Sequence, residues 1–295
     1  MVGRAIAAGA GTLAAAGAAT LGYALWEARQ YTLREVDLTL PRVLPRPGPL
    51  RVLHLSDLHL SPQDADRIAW VRDLARLRAD LTIVTGDFHG GADGGRLALE
   101  ALEPLLDSPG AYVRGSNDYF VPKRANPAKY FLGPSRLPAA RPLIDVSILD
   151  DGLGEAGWLD LDNATGELSV AGWTIDARGV DDPHIHRDDY SAVAGPFAGD
   201  ASLRLGVAHA PYRRVLDAMA ADGADLILAG HTHGGQICLP LVGTLVTNCD
   251  IPRSQAKGLS SWHGSALNVS AGLGTNPYTP IRLACRPEAT LLTLS

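Results

Sequence analysis

Six side chains of this sequence could hold metal ions: Asp57, His59, Asp87, His209, His231 and His233. Asp57 and His59 are two positions apart, as are His231 and His233, and in an extended segment residues i and i+2 point to the same side. A carboxylate and an imidazole can therefore bite one ion, and so can two imidazoles. Gly230, Gly234 and Gly235 flank the second pair and permit close backbone approach. Any one of these residues alone would more often be a polar group at the end of a core strand; it is their joint placement that carries weight. With an Asn as a further oxygen donor, the set exceeds the four ligands of a tetrahedral zinc. Two divalent ions sharing one carboxylate would use all of it, and mixed nitrogen and oxygen ligation suits Mn, Zn or Fe. Such a pair, roughly 3.5–4 Å apart, activates a water and clamps both oxygens of an in-line phosphoryl displacement.

These residues need elements that bring them together. Short apolar runs at Leu50–Leu55, Leu81–Thr85, 111–113, Leu203–Ala208 and 224–229 read as buried strands. Stretches 64–78, 97–106 and 211–221 carry apolar residues at helical spacing, the first with Asp64 as its expected cap. Alternating strands and helices imply βαβ units and a parallel sheet. Every candidate ligand falls just past the C-terminal end of a strand, the edge at which open α/β sheets bind ligands. The middle, 143–175, reads as β-rich, with a hairpin turn expected at 163–166. Short strands are expected at 267–271 and 290–294.

Ser56-Asp57-Leu58-His59, Gly86-Asp87, His209-Ala210-Pro211 and Gly230-His231-Thr232-His233-Gly234-Gly235-Gln236 resemble the motifs of the calcineurin-like metallophosphoesterase family, in order and spacing, over about residues 50–285. The last segment is the most specific. The membrane-tethered bacterial branch, which includes hydrolases of lipid-linked pyrophosphates, is the most similar. The resemblance implies an α/β fold of two facing mixed β-sheets flanked by helices, a four-layer sandwich with the metals at the sheet edge. It implies that Asp57, His59 and His233 hold one ion, that Asp87 bridges, and that His209, His231 and an Asn hold the other. It implies hydrolysis of a phosphodiester, pyrophosphate or phosphomonoester, including a lipid-linked one.

The sequence departs from the family at one place. Where the family has Gly-Asn-His followed by an acid, this chain has Gly115-Ser116-Asn117-Asp118. Either Ser116 or, with a slip of one residue, Asn117 takes the ligand position; an amide oxygen is the better donor, so Asn117 is the expected ligand. Asn117 and Asp118 are also the expected catalytic residues, because the general-acid His of the family is missing. Protonating a leaving group is worth roughly 100- to 10,000-fold, so substrates with acidic leaving groups are expected to turn over best. The same departure admits an alternative, a catalytically silent membrane protein that binds metal and phosphate. A structural zinc protein is disfavoured, since structural sites are closed, Cys-rich sets of four.

Further features are weighed against blander readings. Lys123, Arg124, Lys129, Arg136 and Arg141, interleaved with Tyr119, Phe120, Tyr130 and Phe131, form either a lid for an anionic substrate or a solvated basic loop. Asp181, Asp182, His184, His186, Asp188 and Asp189 read as a solvated loop. His54 reads as a core residue or one orienting a ligand, and His89 is set aside as a ligand. Three cysteines without CxxC spacing indicate neither a disulfide framework nor a zinc ribbon, although one disulfide plus a free thiol is open.

A net charge of −6 gives no support to general nucleic-acid binding. Residues 1–26 stand apart: from Ala5 to Leu25 there is no charge, and Tyr23 and Trp26 suit an interfacial belt. This segment reads as a single-pass membrane anchor, with a cleaved signal peptide as the competing reading. Positive charges after the run, at Arg29, Arg34, Arg42, Arg46 and Arg51, favour a cytoplasmic catalytic part; a signal peptide would make it exported. Residues 27–49, punctuated by Pro41, Pro45, Pro47 and Pro49, read as a juxtamembrane linker, and 50–295 as the catalytic domain. The expected partners are a phosphoester substrate and a membrane.

Overall fold

The computed structural model describes residues 2–40, 48–122 and 141–295, with side chains from residue 14 onward. Pro41, Pro45 and Pro47 and the basic and aromatic residues from Lys123 to Arg136 lie outside the described residues. The first sheet has the order β1(Thr32–Leu38)-β14(Glu288–Leu294)-β2(Leu50–Leu55)-β3(Leu81–Thr85)-β4(Gly110–Val113)-β5(Leu159–Asp160). The second runs β12(Gly258–Trp262)-β13(Ser265–Val269)-β9(Leu226–Ala229)-β8(Leu203–Ala208)-β7(Trp173–Val180)-β6(Ala164–Val170). In each sheet the central strands are parallel and antiparallel strands adjoin them, so both sheets are mixed.

Alternation along each strand builds the layers. In β2, Leu50 and Val52 face the other sheet, while Leu53 and Leu55 face helices. In β9, Leu226 and Leu228 point inward, and Ile227 and Ala229 point outward. A strand buried on both faces needs apolar residues at every position, which is why these segments are nearly continuous hydrophobic runs. The inward residues of both sheets, with Trp173 among the largest, form one core. Outside the first sheet pack α2(Ala65–Asp73), α3(Gly94–Leu102) and α5(Ser147–Glu155). Outside the second packs α6(Arg213–Ala221), through Val215, Leu216 and Met219. The result is helix, sheet, sheet, helix, the expected fold class.

Several local expectations are corrected. Stretch 143–175 is not all β: Leu149 and Leu153, four apart, are the buried face of α5, and Gly152 leaves the space that Leu99 of α3 fills. The hairpin between β6 and β7 turns at Ala171 and Gly172, both at positive φ, not at 163–166, where Asn163 instead accepts the Asp181 and Asp189 N–H groups. Asp64 does not cap α2 through its side chain; its carboxylate turns back onto Ser61. The stretch read as a linker contributes β1, paired in parallel with β14.

The N-terminal segment forms α1(Val2–Glu27). Among the described residues, no helix is long and apolar enough to cross a membrane. The C-terminal turn of α1 is fixed to the domain: Arg282 N–H donates to Ala24 O, and Ala284 N–H to the buried Glu27 carboxylate at 2.7 Å.

His54 ties the two sheets together. Its Nε2 lies 3.0 Å from Thr85 Oγ1, and its Nδ1 2.9 Å from Asn268 Nδ2 of β13. Burial lowers its pKa to about 3 from 6.5. The unfolded chain therefore binds a proton that the folded chain refuses, and stability falls as pH drops below 6.5. At one pKa unit per 1.36 kcal/mol, this group removes about 2 kcal/mol between pH 6.5 and 5. Urea unfolding at the two pH values checks this: His54→Gln, which keeps an amide in the same space, should lose less stability on acidification than the parent by about that amount.

Candidate metal centre

The C-terminal ends of β2, β3, β4, β8 and β9 meet at one edge of the sandwich. Strand β2 delivers Asp57 and His59, β3 delivers Asp87, β8 delivers His209, and β9 delivers His231 and His233. Five of these six, all but His209, have left-handed backbone, with φ between 42° and 67°. Non-glycine residues rarely sit there, and such strain is tolerated where the surroundings over-determine it, typically at functional sites.

One oxygen or nitrogen from each of Asp57, His59, Asp87 and His233 falls within 4.8 Å of all the others. His59 Nε2 lies 3.3 Å from His233 Nε2 and 3.4 Å from Asp87 Oδ2. His233 Nε2 is 3.4 Å from Asp57 Oδ1. On the other side of Asp87, His209 Nε2 is 3.5 Å from Oδ2, and His231 Nδ1 is 3.3 Å from His209 Nε2. Asp87 thus lies between two groups of donors, as a bridging carboxylate must.

The outer contacts aim these groups. His209 Nδ1 faces the Thr85 carbonyl at 2.6 Å, so Nδ1 carries a proton and Nε2 is turned toward Asp87. His233 Nδ1 lies 3.1 Å from the Gly274 carbonyl and 3.3 Å from Arg282 Nη2, which fix the ring with Nε2 toward the site. Asn248 holds His231 Nε2, leaving Nδ1 toward the site. Asp57 Oδ2 accepts from Ser56 Oγ and His231 N, whereas Oδ1 is buried without a hydrogen-bond partner. The fully buried Arg282 donates to Ala271 O, Gly272 O and Gly274 O, fixing the loop that covers Asp57 and His59. Gly230 admits no side chain, since a Cβ there would lie 1.8 Å from Ser56 Oγ and 2.7 Å from Asp57 Oδ2.

The electrostatics show what is lacking. Burial raises the pKa of Asp57 and Asp87, only partly offset by His209. Burial also drives His231 and His233 well below the usual imidazole value and lowers His59. For His209 burial acts downward too, but Asp87, Asp182, Asp57 and the Thr85 carbonyl outweigh it and lift the group to about 10. Desolvated carboxylates and the bare lone pairs of His59, His231 and His233 are the complement of cations. The orphaned Asp57 Oδ1 and the nitrogen and oxygen donor set fit divalent ions of the Mn, Zn or Fe type.

The structure resolves the 115–118 segment. Asn117 reaches the site: its N–H donates to Asp87 Oδ1 and its Nδ2 to Asp87 Oδ2, both at 2.8 Å. Asp118, expected as catalytic, is a brace instead. Its fully buried carboxylate accepts from Asp87 N, His89 N, Gly115 N and His89 Nδ1. Burial acts to raise its pKa, but these bonds outweigh it and hold the group below the carboxylate range. His89, set aside as a ligand, serves as its partner.

Sequence reasoning missed the region after β7. Parallel pairing of Val180 with Ala208 puts Asp181 and Asp182 at the same edge as His209. Both are buried, not solvated; burial lifts Asp182 to about 7, and its Oδ2 has no hydrogen-bond partner. His184 stands at a half-buried position with its ring 4.4 Å from that of His231 and its Nδ1 3.0 Å from Tyr212 Oη. His186 and Asp189 are exposed as expected, whereas Asp188 is half-buried and pairs with Arg214 at 2.7 Å.

Comparison with known proteins agrees with this geometry. Residues 50–235 match the family described as calcineurin-like phosphoesterase. The Bacillus subtilis metallophosphoesterase YkoQ is 30% identical over 258 residues, 84% of each chain. The Bacillus subtilis protein YpbG is 28% identical over 95% of this chain and 97% of its own. The Escherichia coli phosphodiesterase YaeI is 39% identical over 100 residues, 34% of this chain and 35% of its own. Among solved structures, a Thermus thermophilus protein, TT1561, is similar with a TM-score of 0.40 and 13% identity, covering 76% of this chain and 90% of that one.

The packing at Gly230 gives a test. Gly230→Ala should displace Asp57 and weaken metal binding by roughly 10- to 100-fold, the range for disturbed outer contacts, with an unchanged far-ultraviolet circular dichroism spectrum. Unaltered binding of Mn2+ in a calorimetric titration would contradict the placement of Asp57.

Proposed function

The chain belongs to the calcineurin-like phosphoesterase family, and from that premise we propose that it hydrolyses a phosphodiester or pyrophosphate through a water activated between two divalent ions. The observation that carries this reading is the position of Asp87 between two sets of candidate ligands, Asp57, His59 and His233 on one side and His209 and His231 on the other. When bound, the ions would lower the pKa of a water and stabilise charge on the phosphoryl oxygens. Asn117 holds both oxygens of Asp87 and sits where the family has its Asn-His pair. His184 and Tyr212 lie at the rim on the His231 side, placed to contact a substrate oxygen.

The leaving group follows from Asn117 and Asp118. A neutral amide is a poor acid, and Asp118 is consumed by four donors. The favoured substrates are therefore those whose leaving group departs without a proton, such as a phosphate monoanion or an aryl oxide. The same segment favours a second reading, a chain that binds a phosphoester without cleaving it. With Mn2+ present, bis-p-nitrophenyl phosphate should turn over at least about 100-fold faster than a dialkyl phosphate, and Asp87→Ala should abolish turnover. Equal rates on both would contradict the leaving-group argument; absence of turnover in metal-loaded protein would favour the silent reading.

The setting of the reaction is part of the proposal. Helix α1, uncharged from Ala5 to Leu25 and carrying exposed Leu21, Tyr23, Leu25 and Trp26 at its end, supports membrane attachment and with it a lipid-linked substrate. Full-length protein should sediment with the membrane fraction and residues 30–295 should not; sedimentation of both, or of neither, would argue against α1 as the anchor.

A further inference from the structure

The three cysteines have different surroundings. Cys249 is buried in the core formed with β9 and α6. Cys238, in the hairpin strand β10(Cys238–Leu239), and Cys285, just before β14, meet beside Ala271 in a small cluster of their own. They share an acceptor: Gly234 O lies 3.3 Å from Cys238 Sγ and 3.5 Å from Cys285 Sγ. Cys285 Sγ is 3.3 Å from the carbonyl of His233 as well. The thiols thus pack against the turn that carries a candidate metal ligand. There is no slack between them, since a Cβ on Gly234 would lie 2.8 Å from Cys285 Sγ.

Two features make this pair suited to chemistry rather than to packing alone. Lys257 Nζ lies 3.7 Å from Cys285 Sγ, and a neighbouring cation makes a sulfur more nucleophilic. An open pocket of ≈ 440 Å³, lined by Cys238, Thr244, Lys257 and Ala284 among others, gives solvent a route to Cys238.

We propose that Cys238 and Cys285 are a modification site, oxidised by a hydroperoxide to a reversible disulfide that loosens the His233 turn. In the first step the sulfur of Cys238, which lines the pocket, attacks the peroxide, the O–O bond breaks, Cys238 becomes a sulfenic acid, and one water or alcohol leaves. In the second, Cys285, beside Lys257, attacks that sulfur, the S–S bond forms, and a second water leaves. Two thiols are oxidised and one peroxide is reduced. The disulfide has no S–H to donate, so the carbonyls of His233 and Gly234 lose their sulfur donors. Thr244 Oγ1 at 2.9 Å from Gly234 O and Arg282 Nη1 at 3.4 Å from His233 O remain. His233, held at φ 50°, is then less firmly aimed, and ion binding weakens. This last step rests on His233 acting as a ligand; the crosslink itself does not.

The test uses the full chain carrying Cys249→Ser, which leaves one pairing available, with hydrogen peroxide as oxidant. Mass spectrometry should show the loss of two hydrogens and a crosslinked peptide joining Cys238 to Cys285, both reversed by dithiothreitol. The dissociation constant for Mn2+ should rise about tenfold or more on oxidation, as for other disturbed outer contacts. It should not change on oxidation when Cys285→Ala is added. The proposal is overturned if both cysteines remain alkylatable or proceed separately to sulfinic acid, or if the crosslink forms and Mn2+ affinity is unchanged. Reduced protein that binds no Mn2+ would sink the metal reading, and the mass measurement would still decide the crosslink.

Discussion

The arrangement depends on desolvation. Two carboxylates and three imidazoles are withdrawn from water at the edge of two sheets, with the half-buried His233 beside them. Buried polar groups ordinarily find hydrogen-bond partners, and leaving them without is costly. Here Asp57 Oδ1 and His59 Nδ1 have no hydrogen-bond partner, while each of His209, His231 and His233 has its outer nitrogen engaged. The fold holds these groups apart from their natural partners so that cations can take that place. The left-handed backbone at five of the six residues belongs to the same constraint.

Much of the rest serves to hold that cluster. Asp118 gathers the N–H groups of Asp87, His89 and Gly115, pinning the loops after β3 and β4 to each other. Arg282 fastens the 271–274 loop over Asp57 and His59. His54, Thr85 and Asn268 join the sheets beneath. Each brace comes from a different part of the chain, so the site is assembled only when the whole sandwich closes.

How much of this was legible in the sequence differs from residue to residue. The meeting of the six candidate side chains at one edge was, because each follows a strongly apolar strand and because i, i+2 pairs mark one side of a chain. The alternation of strands and helices gave the layers for the same reason. The 115–118 segment was not: in a single helical turn, only the tertiary surroundings decide that Asn117 turns to Asp87 and Asp118 turns away beneath it. Asp182 and His184 were hidden in a charged run that resembles a solvated loop; only the register of β7 against β8 reveals the shared edge. Helix α5 was obscured because two buried leucines are too few to set a period, and β1 because an edge strand alternates weakly.

The central claim is that Asp87 joins two ions. Electron paramagnetic resonance of the Mn2+-loaded protein tests it most directly, because two ions bridged by one carboxylate are magnetically coupled. The account predicts a spin-coupled signal at saturation that gives way to an uncoupled one in Asp87→Ala. An uncoupled mononuclear spectrum in the parent protein at every Mn2+ concentration would contradict it.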